Sequence, residues 1–285
     1  MDKYNGPRST TTEDVLMLDG VDDNRKRYTT YEWMGTPVPR VSELISSCTT
    51  TEFLIRWATK LGEKEYNEEK KKALDIGTLA HEFIANYCME GISRYDKVEL
   101  QKYKMNISEG AICALNNYRS FESNLKETYG ITVKSIYSEL PIVTPWYGGT
   151  IDSISEVTFP NGISEYVIVD YKTSRRISTN YILQTYAYMW AVNFLKTNNI
   201  RNDLPNITGI MVVRVDKSIP HSYDHIFMDI YHNFAEFQQL ERDLGNLINW
   251  FYSQSNLNYL LKVSKEEARR MLEANYGENI DSDIH

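Results

Sequence analysis

The sequence predicts a mixed α/β fold, in which helices flank a central sheet of parallel and antiparallel strands. The first observation is a hairpin pattern, with strand-like segments at 150–159 and 166–172 on either side of the turn sequence Pro-Asn-Gly at 160–162. The second is a later pair of strand-like segments, 207–215 and 222–230. The third is a series of helical patterns before, between and after these pairs, which is typical of a sheet covered by helices.

The helical patterns place apolar residues on one face at spacings of three and four. In 107–128 these residues are Ala111, Leu115, Tyr118, Phe121 and Leu125. Gly130 is expected to end this helix, and 131–143 to form a strand ahead of the hairpin. We expect another helix over 178–196, because its first residues offer capping side chains. The segment 233–252 carries one more apolar face: Phe234, Phe237, Leu240, Leu244, Leu247 and Trp250.

The N-terminal third is predicted to contain one strand and several helices. Segment 28–33 alternates like a strand. Ser42 is expected to cap a helix that runs to Cys48. Two further helical patterns follow at 50–72 and 74–89, and a last helix is predicted at the other end of the chain, over 264–276.

Composition is that of an ordinary globular protein, with 285 residues of which 42% are hydrophobic and 25% charged. We interpret 28–285 as a single domain and 1–27 as a polar N-terminal segment. The net charge of −8 argues mildly against a nucleic-acid binder, although binding requires only a local basic surface. With no long apolar run and no signal-peptide core, the protein is expected to be cytoplasmic, in the host cytoplasm if viral, without membrane contact.

The hairpin places three charged residues close together. If its turn is centred on Asn161, residues equally far from Asn161 pair across the strands, which sets Asp152 opposite Asp170. Asp170 and Lys172 share one face of their strand, because residues two apart point the same way. Two carboxylates that face each other repel unless a cation lies between them.

A divalent cation resolves this conflict and suggests a chemistry. Mg²⁺ or Mn²⁺ bound by two carboxylates keeps positions for water and for a phosphate oxygen. A lysine beside the metal can orient the attacking water or stabilise negative charge in the transition state. The pattern of Asp152, Asp170 and Lys172 therefore favours phosphodiester cleavage.

The same residues have a simpler interpretation. A triplet of the form acidic-x-Lys is common, and Glu68-Glu-Lys70 matches it within a charged segment that is typical of a solvated helix face. Asp170-Tyr-Lys172 differs because it ends an apolar strand and follows Asp152 through a hairpin. The alternative is a surface ion pair on an exposed strand.

The motifs taken together carry a resemblance. They are Glu139, Gly149-Thr-Ile-Asp152, Asp170-Tyr-Lys172-Thr-Ser and Gln184-x-x-x-Tyr188. This set resembles the PD-(D/E)XK nuclease superfamily, in particular its RecB-type branch. Upstream, 38–45 and Gly77-Thr-Leu-Ala-His81 resemble the N-terminal half of phage exonucleases and of the mitochondrial genome-maintenance exonuclease. The likeness spans about 28–230 and implies a restriction-endonuclease-like nuclease core.

The resemblance implies a role for each matching residue. His81, Asp152, Asp170 and the backbone carbonyl of Tyr171 are expected to bind Mg²⁺ or Mn²⁺. In addition, Lys172 is expected to position the water and Gln184 to steady it. Some RecB-type relatives hold an iron–sulfur cluster on four cysteines, but this chain has only Cys48, Cys88 and Cys113, so we expect no cluster and reduced, mostly buried thiols.

Other residues are assigned to nucleic acid or to accessory roles, each with an alternative. Ser42 and Tyr188 lie near the nucleic acid in the family, but Ser42 is equally explained as a helix cap and Tyr188 as one of many core aromatics. Arg175 and Arg176 follow the Lys172 strand and suit phosphate contacts. Glu139 either reaches the metal region or is a surface acid.

The functional prediction is a metal-dependent DNA exonuclease that acts on single strands or duplex ends. Replacement of Asp170 or Lys172 by alanine is expected to abolish activity without unfolding the protein. The alternative is a catalytically silent DNA-binding subunit of a replication or recombination complex, and cleavage of RNA stays open because contacts to the 2′-hydroxyl have no sequence signature. Expected partners are DNA and, through the resemblance, replication or recombination proteins.

Overall fold

The computed structural model describes four stretches of the chain: 18–21, 27–47, 63–90 and 104–254. The chain forms two compact units, Met1–Glu241 and Arg242–His285. Four sequence predictions lie wholly or mostly outside the described residues: the polar segment 1–27, of which only 18–21 and residue 27 are described, the helical segment 50–62, Cys48 and the last helix over 264–276. The features that follow belong to the first unit unless stated otherwise.

The strands form two sheets. The first has three antiparallel strands, β1 (Leu18–Val21), β2 (Arg27–Trp33) and β3 (Thr36–Val38). The second has five strands in the spatial order of the chain: β4 (Thr132–Val143), β5 (Gly148–Thr158), β6 (Ser164–Lys172), β7 (Gly209–Val215) and β8 (Tyr223–Asp229). Neighbours in the second sheet are antiparallel except β6 and β7, which are parallel.

Helices flank the five-stranded sheet, so the predicted mixed α/β fold is confirmed. They are α1 (Val41–Ser46), α2 (Glu63–Glu90), α3 (Met105–Tyr129) and α4 (Thr179–Thr197). A last helix, α5, extends over 234–254 and belongs in part to each of the two units. Helix α4 connects the parallel strands and packs against both of them. None of the described helices combines the length and the apolar character that crossing a membrane requires.

The hairpin between β5 and β6 has the predicted register. Ser153 pairs with Val169 and Thr158 with Ser164, so paired residues are equally far from Asn161. The turn forms because Gly162 adopts φ +80° and the Asn161 side chain accepts a hydrogen bond from the N–H of Ile163 at 3.0 Å. The turn chemistry therefore sets which residues meet at the far end of the hairpin, where Asp152 and Asp170 lie.

Helices α2 and α3 pack on the sheet through an apolar core. The predicted face of α3 is buried at all five positions, and Gly130 ends the helix with φ +67°. Leu79 and Ile84 of α2 are completely buried, and the core also contains Val167, Val169 and Tyr171 of β6. Asp170 and Lys172 alternate with these core residues along β6, which separates the charged side chains from the apolar ones.

Three details of the predicted helices are wrong. The sequence pattern predicts two helices, 50–72 and 74–89, but α2 runs without a break from Glu63 to Glu90. Helix α1 begins at Val41 with Arg40 at the N-cap, so Ser42 lies inside the first turn and does not cap it. In α5, Phe234 and Trp250 are 64% and 44% exposed, although the periodicity predicts them on a buried face. The two residues occupy the outer turns of the helix, where an apolar residue need not have a packing partner.

The two described cysteines, Cys88 and Cys113, are free and partly buried. Burial raises the pKa of the Cys88 thiol to about 11, although hydrogen bonds with Tyr118 and Tyr171 oppose the shift.

Only the thiolate is nucleophilic, so iodoacetamide at pH 8 should alkylate native Cys88 about 100-fold more slowly than the unfolded chain. Mass spectrometry that resolves modification at each cysteine measures the two alkylation rates. Equal rates in the native and unfolded states would contradict the burial of Cys88.

Candidate metal centre

Three potential metal ligands converge from three elements: His81 of α2, Glu139 of β4 and Asp152 of β5. One ligand atom from each lies within 4.8 Å of the others. The residues are far apart in sequence, and the sheet register and the packing of α2 bring them together. An imidazole with two carboxylates is a donor set that suits divalent metals such as Mn²⁺ and, through the carboxylates, Mg²⁺.

Glu139 reaches the centre from an unusual backbone conformation. Ser138 pairs with Ser153 and Leu140 with Ile151, which sets Glu139 at the position opposite Asp152. Glu139 has φ +49°, in the left-handed region that non-glycine residues rarely adopt. Such strain inside a strand is often associated with a functional site. Burial first and Asp152 second raise the pKa of Glu139 to about 6, but the residue is exposed enough for solvent to screen the effect.

Asp152 lies where the β5–β6 ladder ends. Beyond the pair Ser153 and Val169, its Oδ2 accepts a hydrogen bond from the N–H of Tyr171 at 2.8 Å, and its Oδ1 is 3.3 Å from Nδ1 of His81. Burial raises the pKa of Asp152, but His81, Lys172 and the Tyr171 N–H together outweigh it and leave the pKa lowered. The carboxylate is therefore ionised at neutral pH.

His81 is oriented by the same carboxylate. Burial lowers the pKa of the imidazole, but the charge of Asp152 and the hydrogen bond between the two groups outweigh this and raise it. The ring also makes an edge contact with Tyr171, with ring centres 6.2 Å apart. A carboxylate that holds one ring nitrogen fixes the orientation of the imidazole.

Asp170 and Lys172 form a buried ion pair next to this group. Asp170 is 1% exposed, and Nζ of Lys172 lies 2.7 Å from its Oδ1 and 2.6 Å from its Oδ2. Burial and the nearby Asp152 raise the pKa of Asp170 to about 6 despite the opposing effect of Lys172. The ammonium also lies over the ring of Tyr181, 5.2 Å from its centre. Lysine, aspartate and tyrosine thus hold one another in place.

These residues fit a divalent cation. Oδ2 of Asp170 is a buried oxygen that accepts no hydrogen bond in the described part of the chain, although the lysine nitrogen is near. Glu139, Asp152 and Asp170 supply three carboxylates beside the single ammonium of Lys172. Carboxylates gathered in a largely buried site have a high desolvation cost that a cation offsets.

Gln184 and Tyr188 share one face of α4, as predicted, and Tyr188 lies close enough to Asp170 and Asp152 for their charges to act on it. Nε2 of Gln184 donates to Oη of Tyr188 at 3.3 Å. The ring of Tyr188 is 5% exposed and therefore presents little surface to a ligand. Gly149 makes room for it, because a Cβ at Gly149 would lie 2.6 Å from the ring. The glycine in the motif before Asp152 thus has a packing role.

The residues assigned to nucleic acid lie outside the metal group. Ser42 is exposed on α1, which packs against α4 and β5, and no described contact joins it to the centre. Arg175 and Arg176 are exposed in the segment after β6, where Oγ of Ser174 donates to the carbonyl of Arg176 at 2.9 Å. Their proposed contact with phosphate stays a prediction.

A cleft of about 830 Å³ opens onto the centre. One wall is a stripe of α2 that runs from Lys70 to Asn86, and the other includes Lys172, Tyr181 and Lys217. Sequence reasoning missed most of this lining. Four of these residues, Lys70, Leu74, Thr78 and His81, are spaced by three or four positions, so the sequence could have predicted that they share one face of a helix. No sequence pattern predicts that Tyr181 and Lys217 lie beside them.

Comparison with known proteins adds little. No family model and no curated protein matches the chain. Among solved structures, the crystal structure of SSO0001 is similar, with 13% sequence identity, coverage of 60% of this chain and 85% of that chain, and a TM-score of 0.22. A likeness of this size carries no argument about the fold or the function.

Proposed function

We propose that the chain is a metal-dependent DNA nuclease of the PD-(D/E)XK type, an exonuclease that acts on single strands or duplex ends. The observation that carries the proposal is the pair Asp170–Lys172 beside the group His81, Glu139 and Asp152. A surface ion pair, the simpler interpretation, does not account for a buried Asp170 or for three further ligand-type side chains beside it. Nuclease activity accounts for both.

The metal would be held by His81, Asp152 and Glu139, with Asp170 as a further carboxylate. This ligand set differs from the one expected from the resemblance, because Glu139 takes a direct place in the group and Asp170 contacts Lys172. The backbone carbonyl of Tyr171 remains a candidate, because the N–H and carbonyl of one strand residue point to the same side and the N–H meets Asp152. A bound Mg²⁺ or Mn²⁺ would lower the pKa of a water ligand and offset charge on the phosphate.

Lys172 supplies a positively charged hydrogen-bond donor, which the carboxylates cannot supply. Its pKa is raised above the usual value because Asp170 and Asp152 outweigh the effect of burial, so the ammonium stays charged at neutral pH. A charged donor can hold the oxygen of the attacking water or a phosphate oxygen that gains charge in the transition state. The contacts with Asp170 and Tyr181 orient this donor before DNA binds.

The test is a cleavage assay on end-labelled linear and closed circular DNA, single-stranded and duplex, in Mg²⁺, Mn²⁺ or EDTA. We expect metal-dependent shortening of linear strands, no cutting of circles, and loss of activity in Asp170→Asn. A labelled RNA strand of the same sequence tests the sugar preference. Binding in EDTA without hydrolysis under either metal would replace the proposal with the DNA-binding subunit, and cutting of circles would make the enzyme an endonuclease.

A further inference from the structure

A group of basic side chains surrounds one end of the cleft, away from the carboxylates. Lys70 and Lys217 line the cleft itself. Lys72 of α2 and Arg175, in the segment after β6, lie close enough to Lys217 for their charges to act on it. In a chain with a net charge of −8, such a local concentration of positive charge is notable. Positive charge along a groove is the usual electrostatic mark of a polyanion site.

Lys217 is the most constrained member of this group. It is half-buried, and no carboxylate of the described chain forms an ion pair with it. The neighbouring Asp216 is engaged by Arg214 and by the N–H groups of Ser218 and Ile219. Burial first, and then Lys72 and Arg175, lower the pKa of Lys217, although Asp216 and Glu69 oppose them. Burial is thus the main cause of the lowered pKa, and a bound anion would stabilise the charged form of this half-buried ammonium.

The helix sets the distance between the basic group and the metal centre. Lys70 and His81 belong to the uninterrupted helix α2 and are eleven residues apart. At a rise of 1.5 Å per residue, this corresponds to about 16 Å along the helix axis. Between them the cleft wall is formed by Ala73, Leu74, Gly77 and Thr78, which carry no charge.

Gly77 and Thr173 lie close together where α2 meets the segment after β6, and both line the cleft. A Cβ on Gly77 would be 3.5 Å from Oγ1 of Thr173, an ordinary van der Waals distance. Glycine inside a helix costs about 1 kcal/mol relative to alanine, so a compensating role is expected. Close approach of α2 to the segment that carries Thr173 and Arg175 is such a role.

We propose that Lys70, Lys72, Arg175 and Lys217 form a backbone-binding surface for a single DNA strand whose scissile phosphate lies at the metal centre. The inference rests on the proposed nuclease function and adds Lys70, Lys72 and Lys217 to the residues that contact DNA. The strand runs along α2, with its phosphates at both ends of the cleft. Phosphate contacts of this kind position the strand without reading its sequence.

The spacing sets the length of stacked DNA that reaches both ends of the cleft. A strand that stays stacked as in B-form DNA advances 3.4 Å per nucleotide, so about five nucleotides span about 16 Å. Affinity should therefore rise steeply up to about six nucleotides and much less beyond that length.

The experiment measures binding of fluorescein-labelled oligothymidylates of 2 to 12 nucleotides in EDTA, over a series of salt concentrations, by fluorescence anisotropy. For Lys72→Glu/Lys217→Glu we expect at least a 10-fold loss of affinity for the 12-mer and a salt dependence reduced by about one to two units in its logarithmic slope. The step in affinity near six nucleotides should disappear. The control is Lys126→Glu, which changes charge in a separate cavity between α3 and β4.

Because EDTA suppresses metal-dependent turnover, the outcome is independent of the cleavage assay. Unchanged 12-mer binding by the double variant, or an equal loss in Lys126→Glu, overturns the basic surface even if the wild type is a nuclease. If the double variant loses affinity as expected but the wild type hydrolyses no DNA, the proposed nuclease function is overturned. The cleft is then a binding site for single strands. The shift of the melting temperature by Mn²⁺ should be retained in the double variant, which confirms that its metal centre is intact.

Discussion

Lys172→Met is expected to lower the rate of DNA hydrolysis by at least about 100-fold and to leave Mn²⁺ binding intact. Loss of one preorganised charged donor at a developing negative charge typically costs a factor of about 100 to 1,000 in rate. Methionine keeps most of the length of the lysine stem but removes the ammonium that lies over the ring of Tyr181. The readouts are the initial rate on a linear strand and the increase in melting temperature caused by Mn²⁺.

This variant also reports on the buried ion pair. Removing the lysine leaves Asp170 buried without its partner, which typically costs about 3–5 kcal/mol of unfolding free energy. The metal-free variant should therefore melt at a lower temperature, and Mn²⁺ should recover part of the loss. Lys134→Met, on an exposed part of β4, is the matched control and should change neither quantity. If Lys172→Met hydrolyses DNA at the wild-type rate, Lys172 has no role in catalysis.

Asp152→Asn is expected to lose both metal binding and hydrolysis, the latter by at least about 100-fold. Asp152 is the carboxylate shared by His81 and the Tyr171 N–H, and asparagine retains one oxygen that can accept the latter hydrogen bond. The fold should therefore survive while the ligand charge is lost. Metal that binds only the folded state raises its stability in proportion to occupancy, so the Mn²⁺-induced shift in melting temperature measures the effect directly.

The matched control for this substitution is Asp203→Asn, which changes an exposed aspartate paired with Arg201. Asp203→Asn should leave unchanged both the shift in melting temperature caused by Mn²⁺ and the rate of DNA hydrolysis. The two active-centre variants are informative together, because only Asp152→Asn should abolish the shift. If Asp152→Asn retains the full shift, Asp152 is not a ligand, and the centre must be reassigned to Glu139 and Asp170.

The structure revises the expectation that alanine at Asp170 leaves the fold undisturbed. Asp170 is almost completely buried against Lys172, so its truncation leaves a buried ammonium without its main partner. The cost of a broken buried pair is typically about 3–5 kcal/mol, enough to confuse loss of activity with loss of fold. Asparagine at this position keeps the shape and a hydrogen-bond acceptor, and is the better probe of catalysis.

The sequence by itself determined the strands of the five-stranded sheet, the helices α3 and α4, and the local geometry of the hairpin. The turn at 160–162 sets the register between β5 and β6, and alternation along β6 separates Asp170 and Lys172 from Val169 and Tyr171. The apolar face of α3 and its end at Gly130 follow from periodicity and from the conformational freedom of glycine. These features depend on residues that are close together in the chain, so local backbone geometry is sufficient to predict them from the sequence.

The assembly of the candidate centre was decided by tertiary structure. Packing of α2 on the sheet carries His81 to Asp152, the register of β4 sets Glu139 opposite Asp152, and the loop after β7 brings Lys217 to the cleft. Burial of Tyr188 below Gly149 is also a result of packing. Contacts between residues tens of positions apart depend on how whole elements fit together, so neither periodicity nor turn chemistry encodes them.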